Sequence, residues 1–229
     1  MTMINKNLIH PTVNDRLLGE WGAIMLSYEV GPCSYQNGYL KAQGKMFPVK
    51  LKASIGLRPI TITLDFSGKS PMETARAISD LTDVLMDSPE IMLPDGFFYW
   101  CEFDGASTPE RKAPWIEQVQ FQLHGVRHEK LEEIELTASG TIDASGNLET
   151  PMIVTLTPSG SSMTFQGITI TSDTPVTIDG VLTTVKNSNG DNVFGSTDMT
   201  KWPTLTPGEN TITMSGVTKA EISYYPIWK

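Results

Sequence analysis

Three segments of the first half alternate between apolar and polar residues with the two-residue period of a half-buried strand. In residues 49–55 the apolar positions are Val49, Leu51, Ala53 and Ile55. In residues 60–66 they are Ile60, Ile62, Leu64 and Phe66. In residues 115–123 one face comprises Trp115, Glu117, Val119, Phe121 and Leu123. Each pattern predicts a strand that covers a core with one face only.

A single helix is predicted between the second and third of these strands. Ser70 can cap it, Pro71 suits its first turn, and Glu73 can close a capping box. Apolar positions then recur at steps of three and four residues, in a stripe of Ala75, Ile78, Leu81, Thr82 and Leu85. Ser88 and Pro89 end the pattern. One helix packed on several strands predicts an α+β domain.

A turn and a loop follow the helix. Pro94, Asp95 and Gly96 join a short apolar run to an aromatic run, which predicts a β-hairpin. Residues 104–112 are polar and rich in turn-forming residue types. We predict an exposed loop there.

The second half has no helical period and consists of short apolar segments between turns. Strands are predicted at residues 134–141, 151–157, 163–171, 175–179, 181–186, 210–215 and 219–224, a spacing typical of a β-sandwich. Turns are predicted at residues 143–147, 179–180 and 187–191. The length of 229 residues allows one large domain or two small ones. The composition shift after residue 133 favours two, an α+β domain of residues 1–133 and an all-β domain of residues 134–229.

Composition and charge narrow the choice of partners. Apolar residues make up 39% and charged residues 19% of the chain, an ordinary globular balance. The net charge is −9, with 13 basic and 17 acidic residues in 1–133, and 4 and 9 in 134–229. Because nucleic acids and anionic membranes attract basic surfaces, this balance argues against both. No apolar stretch approaches the roughly 20 residues of a membrane span. The N-terminal residues do not resemble a signal peptide, so we expect synthesis in a cytoplasm.

The sequence shows no motif for catalysis or for a cofactor. It lacks a Gly-x-Ser-x-Gly motif, a P-loop and a dinucleotide-binding fingerprint. Cys33 and Cys101 lack metal-site spacing and are interpreted as unrelated thiols, with a disulfide between them left open. His124 and His128 would share one face of a strand, which leaves a metal pair open, but no third ligand lies near them. Residues 187–192 have the composition of a calcium loop without its closing Glu, and we interpret them as a turn.

The last third of the chain carries motifs that resemble a known family. The segment Trp202-Pro203-Thr204-Leu205-Thr206-Pro207-Gly208-Glu209-Asn210 precedes a predicted strand, and Pro226-Ile227-Trp228 lies after the last one. This order is similar to the ending of siphophage distal tail proteins, with Ile227 where a basic residue is common. The first half resembles the same family in the helix at residues 71–87, the hairpin at residues 94–99 and the strand at residues 115–123.

The resemblance implies a structural protein of a bacteriophage or prophage tail tip, made in the host cytoplasm. In this family N-terminal domains form a hexameric hub ring between the tail tube and the adsorption apparatus, and galectin-like C-terminal domains project outward. The implied partners are further copies of the chain, tail-tube and tail-tip proteins, and receptor-binding proteins. No catalysis and no cofactor are implied. Residues 104–112 and the strand with Lys50 and Lys52 are our candidates for surfaces near ring neighbours.

A carbohydrate-binding module is the alternative function. Trp202 and Trp228 could stack on sugars, although each also fits a core or interface role. Residues 134–229 contain neither His nor Arg, two residue types that galectins place around their sugar. A tail-associated hydrolase is a third possibility, and it would need a catalytic pair that the sequence does not reveal.

Overall fold

The computed structural model describes residues 10–40 and 49–229, with the backbone alone at residues 35–40 and 49–54. Two units are present, one of residues 1–127 with Lys229 and the other of residues 128–228. The division falls between Arg127 and His128, whereas the composition shift places a boundary after Glu133. No helix in the described part of the chain is long and apolar enough to cross a membrane.

The first unit is a β-sheet with one α-helix. In chain order its elements are β1 (Thr12–Val13), β2 (Arg16–Leu17), a 3₁₀ helix (Leu18–Trp21), β3 (Ala23–Val30), β4 (Tyr35–Leu40), β5 (Val49–Ile55), β6 (Arg58–Ser67), α1 (Pro71–Met86), β7 (Glu90–Met92), β8 (Phe98–Ala106), β9 (Glu110–Ala113) and β10 (Ile116–His128). The sheet runs β2-β1-β7-β8-β10-β6-β3, with β9 also pairing with β10. Strands β4 and β5 pair with each other, apart from this sheet.

The predicted alternation of β6 and β10 produces the core of this unit. The two strands are antiparallel, and Phe121 lies opposite Ile62. Phe66 and Phe121 are fully buried and meet edge to face, with ring centroids 6.2 Å apart. The prediction for residue 115 is wrong, because Trp115 precedes the strand with a φ of 66° and is 48% exposed. The side chains of β5 at residues 49–54 lie outside the described residues, so their predicted alternation stays a prediction.

Helix α1 packs on β6 and β8 and begins as predicted at Pro71. Ser70 caps it by accepting a hydrogen bond from the backbone N–H of Glu73. The Glu73 carboxylate accepts from the N–H of Lys69, 2.7 Å away, and not from that of Ser70, so the predicted capping box is displaced by one residue. Ala75 is exposed, contrary to the predicted stripe, and the buried positions are Thr74, Leu81 and Leu85. Thr74 faces inward because its hydroxyl donates to the carbonyl of Trp115.

Replacing Ser70 by alanine is expected to lower the free energy of unfolding of the first unit by about 1 kcal/mol, because the N–H of Glu73 loses its acceptor. Urea unfolding followed by circular dichroism measures this change. Ser70→Thr is the matched control, since threonine keeps an acceptor oxygen and should lose much less. Equal losses in the two variants would contradict this role for Ser70.

The predicted exposed loop at residues 104–112 is mostly strand. Strand β8 continues to Ala106 and β9 begins at Glu110, which leaves only Ser107, Thr108 and Pro109 as the connection. Ser107 is tied to β10, since its N–H donates to the carbonyl of Gln120 and its hydroxyl accepts from the N–H of Gln120. Most of these residues are exposed although they lie on strands, and this exposure accounts for their polar composition.

The second unit is a β-sandwich without an α-helix among its residues. Its elements are β11 (Glu132–Leu136), β12 (Gly140–Ala144), β13 (Thr150–Pro158), β14 (Ser162–Phe165), β15 (Ile168–Thr171), β16 (Val176–Asp179), β17 (Thr184–Asn187), a 3₁₀ helix (Phe194–Ser196), β18 (Thr204–Leu205), β19 (Gly208–Ile212), β20 (Met214–Ser215), β21 (Val217–Tyr224) and β22 (Ile227–Trp228). One sheet runs β11-β21-β13-β16-β17, with β18 also on β13; β15-β14-β20 and β12-β19 form smaller sheets. Side chains from these sheets share one buried cluster.

The mainly β prediction is confirmed, with differences at strand ends. The predicted strand at residues 134–141 is divided between β11 and β12, and that at residues 163–171 is the hairpin β14–β15. Gln166 and Gly167 form its turn with φ angles of 51° and 79°. The segment at residues 187–191 is a turn as predicted, because the side-chain oxygen of Asn187 accepts from the N–H groups of Asn189 and Asp191.

Candidate interaction surfaces

One edge of the first unit's sheet displays apolar side chains. Strand β3 is last in the sheet order and pairs only with β6 in the described part of the chain. Ile24 is 64% exposed, Leu26 51% and Tyr28 37%. An edge strand has unpaired N–H and C=O groups, and natural proteins usually protect such edges with charges or prolines. The apolar side chains on this edge indicate a surface that another protein segment covers.

A β-bulge interrupts the pairing of β3 with β6 at Leu26. Met25 lies opposite Leu64, whereas Ser27 lies opposite Thr63, so Leu26 is an additional residue in β3 without a partner. Leu26 is exposed like Ile24, in regular alternation with the buried Ala23 and the half-buried Met25, and the bulge shifts the register of the residues that follow, so that Tyr28 lies opposite Ile62. Ile24 and Leu26 therefore both present aliphatic side chains at the open edge of the sheet.

The apolar edge lines a groove of about 700 Å³. Its lining comprises His10, Pro11, Leu17, Leu18, Gly19, Ala23, Ile24, Met25, Leu26, Tyr28 and Pro94. No Asp, Glu, Lys or Arg is among them. Contiguous exposed apolar patches of this kind are typical of protein interaction sites. We refer to this surface as the β3 groove.

The predicted turn at Pro94, Asp95 and Gly96 joins β7 to β8, as expected. Gly96 has a φ of 86°, a conformation that favours glycine. The Asp95 carboxylate accepts hydrogen bonds from the N–H of Phe97 and from the hydroxyl of Tyr99. Burial, with the hydrogen bond to Asp95, raises the pKa of Tyr99 well above its usual range. Tyr99 therefore stays protonated and acts as a structural donor that fixes the hairpin.

The Pro-Gly-x-Asn segment is held by the side chain of Asn210. Its carbonyl oxygen accepts from the N–H and the hydroxyl of Thr206, and its amide donates to the carbonyls of Thr206 and Gly208. Gly208 has a φ of 88°, whereas Pro207 is exposed. Leu205 is fully buried in the core of the second unit. The motif thus forms a closed loop with one apolar anchor.

The remaining motif residues of the second unit also shape the backbone. Pro203 is buried and its carbonyl accepts from the N–H of Met152. Pro226 is buried and its carbonyl accepts from the N–H of Glu129. Trp228 is half-buried and its indole N–H has no hydrogen-bond acceptor among the described residues. These positions favour packing roles, and none of them supplies a reactive group.

A second concave surface lies beside Trp202. This cleft of about 310 Å³ is lined by Met152, Gln166, Gly167, Ile168, Asp198, Thr200, Lys201, Trp202, Pro203 and Thr204. In contrast to the β3 groove it combines an aromatic ring with acidic, basic, amide and hydroxyl groups. We refer to it as the Trp202 cleft.

The histidines and cysteines that the sequence offered for metal or redox chemistry do not form such a site among the described residues. His124 is exposed and its ring nitrogen contacts the carboxylate of Asp104, whereas His128 is buried. Cys33 and Cys101 are both free thiols, and burial raises the pKa of Cys101 to about 12. Within the described ranges no group of three or more His, Cys, Asp or Glu residues could hold a metal ion.

These features define a class of protein: a mainly β chain in which a helix-bearing sheet precedes a β-sandwich, with concave surfaces and no assembled catalytic group among the described residues. No protein-family model matches the chain, and no curated protein matches it significantly.

Solved structures of phage tail proteins share this fold. One is the Dit (gp 19.1) protein of SPP1, described as a paradigm of hub adsorption apparatus in phages that infect Gram-positive bacteria. It matches with a TM-score of 0.73 and 13% identity over 96% of this chain and 99% of that chain. Chains of the phage P2 baseplate in its activated conformation match with TM-scores of 0.59 (with Ca, 10% identity, 90% of each chain) and 0.57 (with Sr, 11% identity, 89% and 90%). The resemblance to siphophage distal tail proteins is thus confirmed at the level of the fold.

The β3 groove was not predicted from the sequence. The run Ala-Ile-Met-Leu at residues 23–26 is the available signal, because four consecutive apolar residues exceed what a half-buried strand needs. It does not reveal which of them face solvent. That depends on the position of β3 at the sheet edge and on which face of the strand packs on the core.

Proposed function

We propose that this chain is a structural protein of a bacteriophage or prophage tail tip. In this proposal six copies of the first unit form a hub ring that joins the tail tube to the adsorption apparatus, with no catalytic activity. The second unit projects outward as a galectin-like domain.

The observation that carries the proposal is the shared fold over nearly the whole of both chains. The match to the SPP1 Dit protein covers both units, at a TM-score of 0.73. The sequence motifs support it independently, since the helix cap, the Asp95 hairpin and the Asn210 loop occur in the order that is typical of distal tail proteins.

The β3 groove supports a contact between copies. In a closed ring each copy uses two different faces, so an apolar groove on one copy is covered by a different surface of the next. Unit 1 has other exposed apolar residues for this second face, including Met72 and Met86 on α1, each 65% exposed. Residues 104–112 and the strand with Lys50 and Lys52 stay our further candidates for surfaces near a neighbour.

The other partners follow from the same proposal. Tail-tube and tail-tip proteins would bind the faces of the ring, and receptor-binding proteins are further partners. The net charge of −9 disfavours contact with nucleic acid or with an anionic membrane.

The experiment is a mass measurement of the purified chain by light scattering on a size-exclusion column, across a concentration series. We expect six times the chain mass of 25.2 kDa, and a ring with a central channel in electron micrographs. A strict monomer at every concentration, alone and with a purified tail-tube protein of the same phage, would overturn the ring.

Carbohydrate binding stays a second candidate function because of the Trp202 cleft. This cleft brings an aromatic ring and hydrogen-bonding side chains together in the second unit. Trp228, the other sugar-stacking candidate, does not line it.

A further inference from the structure

We propose, resting on the second candidate function above, that the Trp202 cleft binds a sugar unit of a polysaccharide chain. The cleft lies entirely within the second unit, so this site does not depend on ring formation. The cleft combines a packed aromatic ring, polar groups with free hydrogen-bonding capacity, and a size that suits a small ligand.

The aromatic ring is Trp202, which is half-buried and packs against the core of the second unit. Phe194 supports it, with ring centroids 6.0 Å apart and planes inclined at 40°. The accessible part of the indole lines the cleft. An aromatic side chain that is apolar on its faces and carries an N–H donor suits a ligand with both C–H and O–H groups. Sugar rings have this combination.

Asp198 supplies a positioned acceptor beside the ring. Its Oδ1 accepts a hydrogen bond from the N–H of Thr169 at 2.6 Å, and its own N–H donates to the carbonyl of Thr169. These two bonds fix the residue at the cleft. The second carboxylate oxygen, Oδ2, has no hydrogen-bond donor among the described residues and can accept from a ligand hydroxyl.

Thr200 and Lys201 complete the polar wall. Both are exposed, and neither makes a side-chain hydrogen bond or ion pair in the described part of the chain. Thr200 can donate and accept, whereas Lys201 can only donate. Thr200, Lys201 and Asp198 together offer both hydrogen-bond donors and acceptors. Neighbouring hydroxyl groups of a sugar need both, because each hydroxyl donates and accepts.

The same features disfavour other ligand classes. An anion would be repelled by Asp198 as it approached Lys201, and an apolar ligand would leave these groups unpaired. The volume of about 310 Å³ lies at the lower end of small-molecule pockets, too small for a folded partner. The tight Gln166-Gly167 turn, with both φ angles positive, forms one rim and keeps the cleft preformed.

The test uses saturation-transfer difference NMR on the full-length protein, with maltohexaose, cellohexaose and chitohexaose as probes. This method detects weak binding and tolerates a large assembly. We expect transfer to the sugar-ring protons of at least one probe, with a dissociation constant in the millimolar range, since an open cleft with few contacts binds weakly.

Two variants locate the binding. Trp202→Phe keeps an aromatic ring against the core but removes the indole, and Asp198→Asn keeps the Oδ1 acceptor but turns Oδ2 into a donor. We expect each to weaken binding at least about tenfold, which corresponds to about 1.4 kcal/mol. Asp173→Asn is the matched control for charge, because Asp173 is exposed on the same unit outside the cleft, and it should bind as the wild type does.

Circular dichroism and the light-scattering mass of each variant show whether it folds and assembles. Folded variants with lost binding support the site. The absence of transfer to all three probes, or transfer that persists in both cleft variants, would overturn it. Because the mass is measured in the same samples, failure of the sugar site and failure of the hub ring are distinguishable.

Discussion

Replacing Leu205 by alanine is expected to lower the free energy of unfolding of the second unit by about 2–5 kcal/mol. Leu205 is fully buried in the core cluster of this unit, and β18 pairs it with Thr150 of β13. Truncation removes buried methyl groups and leaves a cavity that the surrounding sheets cannot fill. The loop closed by Asn210 would also lose its apolar anchor.

Hydrogen exchange of the full chain measures this change unit by unit. Amides of β13 and β21 should exchange faster, whereas those of β6 and β10 should keep the wild-type rate. Glu209→Ala is the control, because Glu209 is exposed on the same loop and its loss should cost no more than about 0.5 kcal/mol. A loss below about 1 kcal/mol in Leu205→Ala would contradict the role of Leu205 as the anchor.

The double replacement of Ile24 and Leu26 by aspartate is expected to abolish ring formation. Both side chains lie at the β3 groove, and in a ring their replacements would bury two carboxylates without partners. Residues at the centre of an interface can each contribute about 2 kcal/mol or more. That value corresponds to an association between copies that is weaker on the order of thirtyfold for each replacement. The light-scattering mass should fall from the assembled state to the monomer.

The fold should survive this double change, because Ile24 and Leu26 are 64% and 51% exposed in the chain. Circular dichroism checks this. Leu182→Asp is the matched control, since Leu182 is 66% exposed on the second unit and is not among the residues that line the groove, and its mass should equal that of the wild type. A double variant that keeps the assembled mass would show that the β3 groove is not the ring contact.

Turns in both units show that local chemistry can be predicted from the sequence. The Asn187 turn and the Asp95 hairpin form as predicted, because an Asn or Asp side chain can satisfy neighbouring backbone N–H groups without any distant partner. The Trp202 cleft is different. Trp202 was a candidate from the sequence. Asp198 and Gln166 line the same cleft only through the tertiary fold, in which Asp198 accepts a hydrogen bond from the N–H of Thr169 in β15.

The start of helix α1 was predicted correctly from the sequence, but its buried face was not. Its start at Pro71 and its cap at Ser70 follow from residues within one turn of each other. The buried face was displaced from Ala75 to Thr74, because Thr74 bonds to the carbonyl of Trp115, 41 residues further along the chain. Local residue types predict where a helix begins, whereas its rotation depends on what it packs against.

By itself the sequence determined the elements whose cause is local: the alternation of β6 and β10, the capped helix, the turns, and the mainly β class. Only the tertiary structure decided which strand lies at the sheet edge, where the bulge in β3 falls, and that residues 107–109 alone connect β8 to β9. The physical reason is that strand pairing joins residues that are distant in the chain. The alternation of one strand shows which face is apolar, but it does not show which strand will pair with it or which edge stays open.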